Sequence, residues 1–107
     1  MYQIKSKGYK LNKPINFNEE KDLKLQQERG ISFSNIIEAI DNGLLVDDIK
    51  HPNSNKYQNQ RIFTVCINSY IYLVPYVETN TDIFLKTVIP NRKANKRYRK
   101  ECEDLEV

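Results

Sequence analysis

The chain has 107 residues, with 17 Lys and Arg against 14 Asp and Glu and a formal net charge of +3. Its 39% apolar and 29% charged residues suit a single domain with one modest core, and they exclude general disorder and a two-domain organisation. No stretch approaches the roughly 20 apolar residues of a membrane-spanning helix, and the opening MYQIKSKGYK lacks the apolar centre of a signal peptide, which predicts a cytoplasmic protein.

Residues 1–13 hold four Lys and no acid and read as loosely ordered or as an edge strand. Asn18 is a suitable N-cap, and Glu19 and Glu20 follow where a helix dipole favours acids. The helix over 19–29 stops at Gly30. Ser34 caps a second helix, in which Ile36, Ile37, Ala39 and Ile40 form an apolar stripe and Asn42-Gly43 ends the run. LLVDDIKH then reads as a short strand, and HPNSNKYQNQ as a polar loop. RIFTVCI and YIYLVPYVE are β-branched and aromatic strands, joined through Asn68-Ser69 in a tight hairpin. Pro75, inside the second of them, marks a bulge or a break in pairing, because proline has no N–H to donate. After the turn TNTD, IFLKTVI is a fourth strand. NRKANKRYRKECEDL is a basic helix capped by Asn91. The expected fold is α+β: two N-terminal helices, a four-stranded antiparallel meander with the helices on one face, and a C-terminal basic helix.

Two cysteines, Cys66 and Cys102, and one histidine fall short of a disulfide scaffold and of a closed structural zinc site, so both cysteines are expected as free thiols. Charge is unevenly distributed. Residues 83–100 carry seven bases (Lys86, Arg92, Lys93, Lys96, Arg97, Arg99 and Lys100) and no acid, and residues 101–107 carry four acids. Such a block is a footprint for phosphate or for an acidic protein, or else a solvated helix face.

A two-residue hairpin loop would set Ile67 opposite Tyr70, Val65 opposite Tyr72, Phe63 opposite Val74 and Arg61 opposite Tyr76, all on one face. The next hairpin leaves two registers open. A loop of three or five residues puts Lys86 on the face of Arg61, and a loop of four puts it opposite Pro75 on the other face. His51, in the polar loop, is the one imidazole in the chain and a candidate for moving a proton. Neither a glycine-rich phosphate loop nor a convincing carboxylate pair is visible; Asp47-Asp48 alone is a weak cation signal.

The succession INFNEEKD, RGISF, AIDNG, QRIFTVCIN and LKTVIPNRKANKRY, spanning residues 15–98, resembles the BrnT-like toxins of the RelE superfamily. The resemblance implies a small α+β domain with a twisted antiparallel sheet. It also implies a metal-independent endoribonuclease that needs no cofactor, cleaves RNA (on the ribosome or off it), and halts translation. A neighbouring antitoxin would neutralise it and set the oligomeric state. Phe17 stands where the family has Trp, and Asn18 where it has Asp. Arg61 matches the Arg that opens the second strand, Arg92 and Lys93 match the closing motif, and Lys96 and Arg97 match further basic positions. The family's basic residue on the fourth strand aligns with Thr87, one place after Lys86, and its Glu after the basic turn is Tyr98 here.

On this reading Arg61 and Arg92 clamp the scissile phosphate, Lys86 stabilises the transition state, and Tyr76 or His51 moves protons. Lys93, Lys96 and Arg97 bind the flanking phosphates. The competing expectation is a non-catalytic module whose basic helix binds nucleic acid or an acidic protein.

Overall fold

The computed structural model describes residues 13–53 and 55–106; the expectation for residues 1–12 lies outside them. The chain runs β1 (Ile15–Phe17), α1 (Glu19–Arg29), α2 (Phe33–Asp41), β2 (Leu45–Lys50), β3 (Gln60–Ile67), β4 (Tyr70–Glu78), β5 (Ile83–Leu85), β6 (Ile89–Pro90), α3 (Arg92–Arg97) and α4 (Arg99–Leu105). The fold is α+β, with a mixed sheet ordered β1-β5-β4-β3-β2 and β6 paired to β4. The antiparallel meander β2 to β5 is the expected one, whereas β1, parallel to β5, was not anticipated. Among the described residues no helix is long and apolar enough to cross a membrane.

Local signals account for the helix ends. The Asn18 side chain accepts from the Lys21 N–H, and Gly30 closes α1 at φ 65°. The second cap is Ser32 rather than Ser34: Ser32 and Asn35 form a reciprocal capping box, which satisfies two otherwise orphaned N–H groups and draws Phe33 and Ser34 into the helix. Asn68 and Ser69 both have positive φ, the geometry of a two-residue hairpin turn whose twist matches the strands. The β3–β4 register therefore follows the expected pairs down to Arg61 opposite Tyr76.

The helices do not share one face. Leu25, Phe33, Ile36 and Ile40 pack with Phe63, Val65, Val74 and Tyr76 in the main core. Cys66 and Ile71, on the opposite side of the sheet, pack with Cys102, Ala94, Tyr98 and Leu105 of the C-terminal helices. The cause lies in β3, where five consecutive residues, Ile62 to Cys66, are buried. A strand that is apolar on both sides needs cover on both.

Pro75 shapes the far side of β4. Its carbonyl accepts from the Lys86 N–H at 2.8 Å. In an antiparallel strand a residue's N and O point the same way, so the missing N–H faces β5 and not β3. Pairing with β5 stops there: Tyr76 pairs with Leu85, but Leu73 pairs with Ile89. One extra residue therefore lies between the two segments, and the anticipated fourth strand is split into β5 and β6 by a bulge.

Candidate nucleic-acid interface

The sequence-selected residues fall on two faces of the sheet. On the face of α1 and α2, Arg61 and Tyr76 are cross-strand neighbours, and both converge on Asp48. The Arg61 Nε donates to Asp48 Oδ1 at 3.2 Å and its Nη2 to the Asp48 carbonyl at 3.0 Å, while the Tyr76 hydroxyl donates to the same Oδ1 at 2.7 Å. Burial pushes the Asp48 carboxyl above its ordinary value, against the opposing pull of Tyr76 and Arg61. Tyr76 has 0% exposure and stacks on Phe63 at 3.8 Å between ring centroids. The Tyr76 hydroxyl is thus buried beneath the sheet face and held by Asp48. Arg61 does reach solvent, at the edge of a cavity of about 400 Å³ that it shares with Lys13, Lys50 and Glu78.

Lys86 lies on the other face. The β4–β5 loop spans four residues, since Glu78 pairs with Ile83, and this places Lys86 opposite Pro75. Its ammonium sits 5.6 Å from the Phe84 ring centroid. The register left open by the sequence thus resolves against a joint site for Arg61 and Lys86.

The basic segment also works from this second face. It is two short helices rather than one, with a break at Tyr98. Asn91 caps α3 by accepting from the Ala94 N–H. Ala94 and Tyr98 turn inward, and Asn95 Oδ1 accepts from the Ile71 N–H at 3.2 Å. The helical offset then sets Lys93 and Arg97 along one side. They line a groove of about 190 Å³, floored by Ile49, Thr64 and Leu73 and closed by Tyr98. Arg92 and Lys96 are exposed on the side of α3 away from Ala94. Arg92 and Arg61 thus lie on opposite faces of the sheet.

Tyr98 is a groove residue that strand counting missed. Its hydroxyl donates to Asp47 Oδ2 at 2.9 Å; burial, then the bond to Asp47, raises its pKa. A bulge in β2 between Leu45 and Asp47 sends Asp47 to this face, while Asp48 faces Arg61. The adjacent acids are therefore divided between two tyrosines and do not form one cation site. His51 stays in its loop, with its ring 4.3 Å from that of Tyr57 and its Nδ1 accepting from the Asn53 N–H at 3.0 Å.

The free-thiol expectation is overturned: Cys66 and Cys102 form a disulfide across a Cα separation of 5.6 Å, and no free cysteine remains. The separation of 36 residues in sequence concealed that β3 and α4 pack together. The Cα distance is within the usual bridging range.

No family model, curated protein or solved structure matches the chain.

Proposed function

We propose that the chain binds single-stranded RNA across the sheet face that carries Lys86, Lys93 and Arg97, and that it cleaves the strand without a metal, as a RelE-type toxin held in check in the cytoplasm by a cognate antitoxin. The observation that carries this reading is the groove in which Lys93 and Arg97 rise beside an apolar sheet floor with Tyr98 at its wall. Cations spaced one helical turn apart suit successive phosphates, and an aromatic ring beside them suits a base. Lys86 projects from the same face and would stabilise charge as the 2′-oxygen attacks phosphorus. The resemblance in sequence supplies the cleavage step and the antitoxin.

A second reading is favoured by the burial of Tyr76 and the tying of Arg61 to Asp48. The chain would then hold RNA in the groove without cutting it. Inducing the chain in a bacterium, with and without its neighbouring reading frame, and mapping RNA 5′ ends separates the two. Growth arrest with new ends, relieved by the neighbour, is the expected result. RNA that binds the purified protein but keeps its length would select the binding module. RNA that neither binds nor shortens would refute both.

A further inference from the structure

The disulfide brings together more than two sulfurs. The Sγ atoms of Cys66 and Cys102 and the carboxylate of Glu106 lie within 4.8 Å of one another. Cys66 is 0% and Cys102 1% exposed, whereas Glu106 sits at the solvent-facing mouth. Cys102 and Glu106 are four residues apart, so they share one side of α4 and its C-cap. The carboxylate is held from the hairpin turn: the Ser69 N–H donates to Oε2 at 3.2 Å and the Ser69 Oγ donates to Oε1 at 3.0 Å. Oε1 lies 3.9 Å from the Cys102 sulfur.

We propose that, once the disulfide is reduced, Cys66, Cys102 and Glu106 form a binding site for one zinc-class divalent cation. The proposal goes beyond RNA binding and does not depend on it. A dithiol supplies the two electrons and two protons. The S–S bond breaks, two thiols form, and the dithiol becomes its own disulfide. The cation then displaces both thiol protons to solvent and takes the two thiolates as ligands.

Three features favour this class of ion. Two sulfurs and one carboxylate oxygen make a mixed set that a borderline-soft d¹⁰ ion accepts and that magnesium or calcium does not. Bare thiolates in an apolar cluster are costly, and a cation removes that cost. The hydrogen bonds from Ser69 aim the carboxylate before any ion arrives. In a reducing compartment, where disulfides are not maintained, the ion would take over the tie between β3 and α4.

The test uses the full chain, reduced with dithiothreitol, desalted under argon and titrated with cadmium, whose thiolate complexes absorb in the ultraviolet. The reduced wild type should bind one cadmium per chain with a thiolate charge-transfer band that zinc displaces, and the oxidised chain should show no band. Cys102→Ser should lose the band. Glu106→Gln alters an exposed side chain and leaves the core intact; it should weaken binding by roughly tenfold or more. No band in the reduced wild type, or equal affinity in wild type and Glu106→Gln, would overturn the proposal. Circular dichroism on each sample reports whether the fold is retained.

Discussion

Asp48 is the residue on which the first face of the sheet turns. One of its carboxylate oxygens serves both Arg61 and Tyr76, and the side chain is only 16% exposed. Tyr76→Phe should cost about 1.5–3 kcal/mol, the range for a hydrogen bond to a charged group, read as a lower urea midpoint with an unchanged slope. Burial raises the folded-state value of Asp48 above its ordinary one, so the native state holds the proton more readily than the unfolded chain. Its contribution to stability is thus fully present below its ordinary value and is lost as pH rises through the folded value. Wild type should therefore gain stability relative to Asp48→Asn as pH falls from neutral into the carboxylate range. Urea unfolding of both proteins at two pH values checks this, and a gap that does not change with pH would refute it. The Arg61–Tyr76 pairing was legible in the sequence because a two-residue turn and a period of two leave no freedom. Asp48 was not, because its register depends on the loop of residues 51–59 and on a bulge that no local residue announces.

At the scale of elements, the inward side of α3, set by Ala94 and Tyr98, decides which of its cations point where. Ala94, Tyr98, Cys102 and Leu105 recur at helical spacing and all face the sheet, and the Tyr98 and Cys102 N–H groups donate to the Ala94 and Tyr98 carbonyls, so one side continues from α3 into α4. Lys93 and Arg97 are left in the groove and Arg92 and Lys96 outside it. Lys93→Ala and Arg97→Ala should each weaken RNA binding and reduce the slope of log K against log salt by about 0.7, the value for one phosphate contact on a single strand. Anisotropy titrations with a labelled oligoribonucleotide across a salt series measure this. A slope that stays at the wild-type value in the double variant would remove the groove from the interface. Gly30, at the end of α1, has φ 65°, and the space beside its Cα is open: a methyl group there would find no neighbouring atom within 4 Å. Gly30→Ala therefore meets no clash, and its cost is that of the left-handed backbone alone. It should be about 1 kcal/mol in chemical denaturation.

At the scale of the molecule, the sheet is covered on both faces, and the two covers are unequal. The α1–α2 side holds the large core, with Phe33, Ile36, Ile40, Phe63 and Tyr76 at its centre. The α3–α4 side has a small cluster around Cys66 and Cys102, under helices of six and seven residues that would not persist alone in water. The disulfide closes a 36-residue separation, and the chain-entropy account gives such a loop about 4 kcal/mol. Reduction in the presence of a chelator should lower unfolding stability by that order. It should also expose the amides of α4 to hydrogen exchange before those of β3 and β4, because the satellite cluster is the weaker of the two. Uniform loss of protection across both layers would contradict this ordering.

By itself, the sequence determined what depends on neighbours in the chain. These features are the α+β class, the Asn18, Gly30 and Asn91 helix ends, the Asn68-Ser69 turn with the register it imposes on β3 and β4, and the irregularity at Pro75. Caps, turns and alternation act over a few residues, so local chemistry suffices. Tertiary structure decided what depends on distant segments meeting. It set α3 and α4 on the opposite face from α1 and α2, divided Asp47 from Asp48, and put Lys86 and Arg92 on the face opposite Arg61. It also brought Cys66 to Cys102. The two-sided cover follows from a strand that is apolar on both faces, the division of the acids from the β2 bulge and the place of Lys86 from the β4–β5 loop, and each is settled only when distant segments of the chain pack.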